Sequence, residues 1–134
     1  MRYFIILSFL VLTSCNSQSK QNPTEFKNSI ERGAEIYTDF CVTCHLPNGK
    51  GVPKVFPPLA NADFLIKNRE ASIKAIKYGI KGKIKVNGKI YNGIMAKPGL
   101  DDDEVADVMN YINNSWGNKN SKIVTLPEVK NIKK

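Results

Sequence analysis

The segment Cys41-Val42-Thr43-Cys44-His45 groups two of the three cysteines of this 134-residue chain with its single histidine. A Cys-x-x-Cys-His run is typical of c-type haem attachment. Each thiol can add to one haem vinyl group to form a thioether, and the adjacent imidazole then lies under the iron as a ligand. We therefore predict one covalently attached haem c, with Cys41 and Cys44 as attachment points and His45 as a metal ligand.

Three other kinds of site use cysteines at this spacing. A zinc site needs four ligands, and after Cys15 the chain has no Cys or His outside the motif. A thioredoxin-like redox pair opens a helix after a strand, whereas this pair comes at the end of a predicted helix. A structural disulfide stays open for an oxidising compartment, but bacteria attach c-type haem outside the cytoplasm, so export of the chain favours haem.

Composition excludes several classes of protein. A single histidine rules out two-histidine metalloprotease motifs and bis-histidine haem. An apolar share of 42% with 24% charged residues is that of a globular chain, and 134 residues suffice for one compact domain. Because three cysteines cannot all pair with one another, Cys15 needs its own explanation.

The N-terminal segment has the pattern of an export signal. Arg2 precedes an apolar run over residues 3–12. A membrane-spanning helix needs about 20 residues, so this run is too short to cross a bilayer and is typical of a secretory signal. The run ends in Leu12-Thr13-Ser14-Cys15, which resembles the lipobox of bacterial lipoproteins. We expect a signal peptide over 1–14, a lipidated Cys15 and a polar tether over 15–25. An ordinary signal peptide that contains a cysteine is the alternative. The mature protein would lie on the periplasmic side, anchored to the inner or the outer membrane.

The second axial ligand of the iron is a methionine, a weaker donor or absent. The mature chain holds two methionines, Met95 and Met109. Met109 follows the i, i+3, i+4, i+7 spacing of an amphipathic helix, which predicts core packing. Met95 lies between Gly93 and Pro98, where turn residues exclude a regular helix. A loop methionine can reach the haem opposite His45, so we predict Met95 as the second ligand.

Periodicity and turn residues predict four helices and one hairpin. An irregular loop over 46–58 should follow the haem motif. The alternation around Asn87-Gly88 predicts a type I′ turn, and Asp101 with Glu104 predicts a capping box. The expected elements are a helix over 29–40, a short helix through Leu65 that Asn61 caps, a helix from Asn68 or Arg69 that ends at Gly79, a hairpin over 84–91 and a last helix from Asp101 to about Ser115.

Residues 26–117 resemble a class I cytochrome c. Gly33 and Tyr37 precede Cys41 by eight and four residues, where the family packs a small residue and an aromatic against an aromatic of the last helix, here Tyr111. The resemblance implies an all-α class I cytochrome c fold around one haem, with a small β-hairpin insertion. Residues 118–134 would form a C-terminal tail with a short docking helix. Thr125 and Glu128 offer this helix a capping box, and Val124 and Val129 would dock it on the domain.

The resemblance also implies roles for single residues. Pro57 matches the proline whose carbonyl accepts the ring N–H of His45, which would fix the tautomer and raise ligand basicity. Met95 matches the family's ligand methionine, although Ala96 follows it where the similar subgroup often has proline. That subgroup occurs alone and as haem domains of copper nitrite reductases, oxidases and alcohol dehydrogenases.

A haem held by both His45 and Met95 has no open position for substrate, which predicts electron transfer rather than catalysis. We expect a membrane-anchored one-electron carrier of a bacterial respiratory chain. The alternatives are a fixed electron-transfer subunit of an oxidase, nitrite reductase or dehydrogenase complex, and a haem sensor or enzyme in which Met95 dissociates.

Charge is distributed unevenly along the chain. The formal charge is +8, and loss of residues 1–14 leaves +7. Residues 64–97 hold nine bases and one acid, while residues 101–107 hold five acids and no base. Such polarity can steer the domain toward redox partners with acidic docking surfaces, although the lysines can also merely solvate helix and hairpin faces. We expect no nucleic-acid partner, because the protein is exported. We expect no small-molecule substrate, because a haem held by His45 and Met95 has no open position.

Overall fold

Two long helices cross and form the centre of the fold in the computed structural model, which describes residues 22–134. Helix α1 spans Pro23–Phe40 and helix α5 spans Asp102–Asn113. A Cβ added to Gly33 would lie 2.8 Å from Tyr111 Cβ and closer still to the backbone of Asp107. Glycine at this position therefore lets the two helices approach closely. The predicted signal peptide and Cys15 lie outside the described residues.

Helix α1 begins six residues before the predicted start at Ser29. The Asn22 side chain caps it by accepting a 3.0 Å hydrogen bond from the backbone N–H of Thr24, and Pro23 takes the first helical position. The apolar stripe of the helix starts later than this cap, which is why periodicity missed the first turns. The helix thus starts inside the segment that was assigned to the tether.

Three short helical elements follow α1, and they agree in part with the predictions. Helix α2 is a single turn, Val42–His45, α3 spans Asp63–Lys67 and α4 spans Arg69–Tyr78. The C-cap of α4 is Gly79 at φ 79°, as predicted. The predicted cap at Asn61 is wrong, because Ala62 precedes α3 and the Asn61 side chain points toward the Trp116 carbonyl instead.

An antiparallel hairpin joins α4 to the loop before α5. Strand β1 spans Ile80–Val86 and strand β2 spans Lys89–Met95, so the hairpin is longer than the predicted 84–91. The turn residues Asn87 and Gly88 have φ 49° and 78°, which are the left-handed values of the predicted type I′ turn. In the register, Ile80 pairs with Met95 and Ile84 with Tyr91.

Helix α5 begins at the predicted capping box. The backbone N–H of Asp101 donates to the Glu104 carboxylate at 2.8 Å, and Asp101 accepts from the third helical residue in return. The helix ends two residues before the predicted Ser115. Met109 is fully buried on its inner face, which confirms the prediction of core packing.

The C-terminal tail packs on the domain through its own short helix. Helix α6 spans Leu126–Asn131, and Val124, Val129 and Ile132 are buried around it. Val124 and Val129, the two residues expected to dock the tail, are both among the buried residues. Within residues 22–134, no helix has the length and hydrophobicity that crossing a bilayer would require.

Candidate haem site

The end of α1 positions the two thiols of the Cys-x-x-Cys-His motif. Cys41 is the C-cap of α1, where its backbone N–H donates to the Tyr37 carbonyl at 2.9 Å. The single turn of α2 continues from there, and the backbone N–H of His45 donates back to the Cys41 carbonyl at 3.0 Å. Cys41 and Cys44 are half-buried free thiols. Burial, and secondly the neighbouring Cys44, raise the pKa of Cys41 to about 11, so its thiol is protonated at neutral pH.

The imidazole of His45 is buried and held by one hydrogen bond. Its Nδ1 lies 3.0 Å from the carbonyl oxygen of Pro57, the contact that the resemblance implied. Because a carbonyl can only accept, Nδ1 carries the proton and donates it, which leaves the lone pair on Nε2. The one hydrogen bond of the ring within residues 22–134 is at Nδ1, so none occupies Nε2. Burial lowers the pKa of His45, and the Pro57 bond opposes this only partly, so the ring is neutral at pH 7.

The loop after His45 folds back to bring Pro57 over the imidazole. Gly51 has φ 61°, and its backbone N–H donates to the His45 carbonyl at 3.0 Å. A Cβ at Gly51 would collide with the carbonyl oxygens of Phe56 and Pro57. Val52 and Phe56 then form an isolated antiparallel bridge. Glycine at this position therefore permits the tight loop that sets the His45–Pro57 contact.

Three aromatic rings pack against one another near the loop that follows His45. The ring centroids of Tyr37 and Tyr111 lie 5.4 Å apart, as the resemblance implied, and Trp116 lies 4.9 Å from Tyr37 and 5.4 Å from Tyr111. The Tyr37 hydroxyl donates to the Leu46 carbonyl at 2.8 Å, and Trp116 Nε1 donates to the Pro47 carbonyl at 2.9 Å. Both bonds tie the start of the loop after His45 to the helices. Sequence reasoning missed Trp116, whose contacts are separated by 69 residues.

Met95 is the last residue of β2 rather than part of a loop. It is half-buried and packs against the hydrophobic core. The start of the hairpin passes close to it, since a Cβ at Gly79 would lie 2.6 Å from the Met95 carbonyl oxygen. The hairpin ladder thus extends to this residue through the Ile80–Met95 pair. The irregular segment predicted around it begins one residue later, at Ala96.

A buried polar network joins α1, α5 and the tail, and sequence reasoning missed it. Ser29 Oγ donates to Asp107 at 2.6 Å, and Arg32 contacts the same carboxylate at 2.6 and 3.0 Å. The Asn110 side chain donates to Ser29 Oγ at 2.8 Å and exchanges two hydrogen bonds with the backbone of Val124. The carboxylate of Asp107, followed by that of Glu25, raises the pKa of Arg32. Asp107 is therefore part of the helix interface rather than of an exposed acidic surface.

The donor set fits covalent haem. Two free thiols and an imidazole with an open Nε2 lie within one helical turn. In metal-bound histidines, a carbonyl that accepts from the second ring nitrogen fixes the tautomer and the orientation of the ring. The Pro57 carbonyl is placed to do this for His45. Cys41, Cys44 and His45 are the residues that could hold the group on this side, and Met95 is the thioether available outside the core.

Comparison with known proteins assigns the family. Residues 30–116 match the family Cytochrome c. The chain belongs to the cytochrome c family. A relative named cytochrome c-552 from Thermus thermophilus is 43% identical over 110 residues, which cover 75% of this chain and 83% of that protein. This cytochrome therefore has the class I fold with a small hairpin and carries covalently bound haem c, and it transfers electrons without being a catalyst itself.

Two further relatives of this cytochrome are larger proteins. The alcohol dehydrogenase (quinone) cytochrome c subunit of Gluconobacter oxydans is 31% identical over 106 residues, which are 75% of this chain and 22% of that subunit. The protein of the same name from Gluconacetobacter polyoxogenes is 35% identical over 102 residues and 21% of its length. The cytochrome domain thus occurs both in a small protein and within a longer subunit.

Proposed function

We propose that this cytochrome is a membrane-anchored one-electron carrier of a bacterial respiratory chain, with His45 and Met95 as the axial ligands of its haem iron. The observation that carries the proposal is the pair formed by His45 and Pro57. It leaves Nε2 deprotonated and without a hydrogen bond among residues 22–134, in the same short motif as two free thiols. Cys41 and Cys44 would form the two thioether bonds of the haem, and His45 would bind its iron.

The environments of the two methionines support Met95 as the second ligand. Met109 is fully buried inside α5, and its sulfur would have to leave the core to bind a metal. Met95 is only half-buried at the end of β2, so its sulfur is not enclosed by the core. Thioether ligation opposite histidine raises the reduction potential of a haem. When bound, the haem supplies a reversible one-electron couple at iron, and ligands that stay in place in both states keep the rearrangement small.

Membrane anchoring is proposed from the sequence. The Leu12-Thr13-Ser14-Cys15 segment would direct cleavage before Cys15 and lipidation of its thiol, with the protein on the periplasmic side of the inner or the outer membrane. More than one acyl chain is needed for a stable anchor. Helix α1 begins at Pro23, so seven residues, 16–22, would separate the lipid from the folded domain.

A second candidate function is that of a fixed subunit of a dehydrogenase complex. The observation that favours it is the match to cytochrome subunits of quinone-dependent alcohol dehydrogenases. In both cases the partner is a redox protein, and the excess of basic residues over 64–97 favours one with an acidic docking surface. Co-purification from detergent-solubilised membranes separates the two, because a fixed subunit stays with its complex and a carrier does not.

Mass spectrometry and absorption spectroscopy of the mature protein test the proposal. We expect a mass that includes one haem, lacks residues 1–14 and carries acyl groups on Cys15. We also expect the ferric protein to show the weak near-infrared band of methionine–iron ligation and the ferrous protein to bind no carbon monoxide. High-spin ferric haem with fast carbon monoxide binding would contradict the carrier and favour a sensor or enzyme in which Met95 dissociates.

A further inference from the structure

The outer face of the hairpin carries a surface that the haem site does not use. Alternation along the strands turns Met95 and its neighbours Tyr91 and Ile84 toward the core, and the intervening residues toward solvent. We define this outer face by its six residues, which are Lys81, Lys83 and Lys85 on β1 and Ile90, Asn92 and Ile94 on β2.

The strand register places a basic column beside an apolar one. Lys81 pairs with Ile94 and Lys85 pairs with Ile90 across the ladder, with the Lys83–Asn92 pair between them. Ile90 is 67% exposed and Ile94 is 70% exposed. This exposure is unusual, because β-branched residues of a strand normally pack against neighbouring side chains. The outer face therefore combines three cations with an apolar stripe.

The charge of this face is not neutralised within the described chain. Residues 80–95 contain no acid, and no lysine of the outer face forms an ion pair among residues 22–134. By contrast, Lys67, Arg69 and Lys77 of the same basic segment each have a carboxylate partner. Alternate residues of a strand are about 7 Å apart, within the Debye length of about 8 Å at physiological salt. The three ammonium groups therefore repel one another, and an anion bound beside them would reduce this repulsion.

Protection of a free sheet edge explains only part of this pattern. Lysines on edge strands prevent pairing with other strands, and this would suffice for β1. It does not explain two exposed isoleucines on β2, since polar residues there would protect that edge better. A role for the isoleucines requires a partner that covers them.

We propose that the outer face of the hairpin is a docking surface for a protein that presents carboxylates beside a small apolar patch. The carboxylates would contact Lys81, Lys83 and Lys85, and the patch would cover Ile90 and Ile94. That this partner exchanges electrons with the haem rests on the proposed function, whereas the docking itself does not. One sheet layer would then separate the docked protein from Met95, which lies on the opposite face of the same strand.

The test begins with zero-length carbodiimide cross-linking, which joins a lysine amine to a carboxylate in direct contact. The full-length holoprotein is cross-linked in membranes of the cells that produce it, and the linked peptides are identified by mass spectrometry. We expect Lys81, Lys83 or Lys85 to be joined to Asp or Glu of a different protein. The I90S/I94S variant keeps all three lysines, and we expect it to lower the yield of these products about fivefold.

The affinity of the identified partner is then measured with three forms of the holoprotein. We expect K81E/K83E/K85E to weaken binding more than about tenfold. The control K119E/K133E/K134E makes the same change in net charge at exposed tail lysines that form no ion pair among residues 22–134, and it should change binding less than about twofold. Equal losses in both variants would overturn the docking face in favour of net charge alone.

Three further outcomes would overturn the proposal. Cross-links confined to other lysines would place docking elsewhere, and links from the outer face to residues 101–104 of a second copy would make it a self-association surface. Sedimentation of the C15S protein with phosphatidylglycerol vesicles that is lost in I90S/I94S would assign the face to lipid. The near-infrared spectrum separates failure of this proposal from failure of the proposed function, because the outer face does not contain His45 or Met95.

Discussion

His45 has two ring nitrogens, and the structure gives them different environments. Nδ1 is occupied by the Pro57 carbonyl, while Nε2 is free of partners within residues 22–134. This asymmetry leaves a lone pair on Nε2, which the proposed role of His45 as an iron ligand requires. The motif predicts His45 as a ligand, but its hydrogen bond to Pro57 depends on the path of the loop through Gly51.

The two methionines permit a matched comparison at the residue scale. M95A should remove the near-infrared methionine–iron band, allow ferrous carbon monoxide binding and lower the reduction potential, on the order of a hundred millivolts within the ~0.8 V range that axial ligands span. M109L removes the other sulfur but keeps its volume, so it should retain the band and cost less than about 1.5 kcal/mol of stability. Loss of the band in M109L with its retention in M95A would reverse the assignment.

At the scale of elements, the crossing of α1 and α5 depends on Gly33. In G33A the helix-propensity gain of about 1 kcal/mol opposes overpacking of about 3 kcal/mol, because the new methyl group meets the backbone of Asp107, which cannot rotate away. We expect a net loss of about 2 kcal/mol in the free energy of unfolding, measured with denaturant.

The control for this substitution is G93A, in which the new methyl group meets no atom within 4 Å and Gly93 has no left-handed φ. It should change the free energy of unfolding by less than about 0.5 kcal/mol. Equal effects of G33A and G93A would show that the helices can separate at little cost.

The tail is attached by apolar burial and by one ion pair. Burial of Val124, Val129 and Ile132 contributes about 1.5–3 kcal/mol for each side chain. Arg69 binds the Glu128 carboxylate at 2.6 and 2.8 Å and also donates to the carbonyls of Lys122 and Ile123. Thr125 caps α6, but Glu128 contacts Arg69 instead of completing the predicted capping box. A bidentate guanidinium binds a carboxylate more strongly than a backbone N–H does.

The Arg69–Glu128 pair predicts a pH-dependent contribution. Its hydrogen bond to Arg69 holds the pKa of Glu128 below the ordinary 4.5. A carboxylate with a lowered pKa in the folded state stabilises above its unfolded pKa, and this contribution disappears as pH falls through the folded value. E128Q should therefore cost about 1 kcal/mol at pH 7 after solvent screening, and the difference from the unsubstituted protein should shrink below pH 4.5. The control is E35Q at an exposed site of α1 that forms no ion pair among residues 22–134, and it should change the free energy of unfolding at pH 7 by less than about 0.5 kcal/mol.

At the scale of the whole molecule, we expect the haem to form part of the interior of a small domain. The C41S/C44S variant cannot form the two thioether bonds, and we expect it to be exported but degraded. Immunoblots of membrane fractions would measure this, with the conservative surface variant K133R as control. A normally abundant, folded C41S/C44S protein would contradict the proposed attachment.

The distribution of charge is also a property of the whole molecule. Ion pairs in the structure compensate some of the charges that the sequence places in an acidic segment. Among the five acids over 101–107, Asp107 pairs with Arg32, Asp102 with Lys77, and Glu104 belongs to the capping box. These contacts reduce the acidic field of α5. The uncompensated lysines of the hairpin stay exposed, so the surface potential is dominated by the basic side.

This polarity predicts the salt dependence of electron transfer. Oxidation of the ferrous protein by anionic ferricyanide should slow about tenfold as ionic strength rises from about 0.01 M to about 0.15 M. With cationic tris(bipyridine)cobalt(III) the rate should rise instead, because screening then removes repulsion. Stopped-flow absorption measures both rates. Rates that do not depend on salt for either oxidant would leave the lysines as solubilising groups.

Much of this protein could be predicted from the sequence because the relevant signals are local. The haem motif is contiguous, Asn87-Gly88 specifies its own turn, and the capping box at Asp101 and Glu104 spans three residues. The tertiary structure alone decided what depends on residues far apart in the chain. It placed Trp116 on Pro47, Asp107 between Ser29 and Arg32, and Glu128 on Arg69. Side-chain types and spacing do not encode these partners, because a charged or aromatic residue has many chemically equivalent partners until packing brings one of them within contact distance.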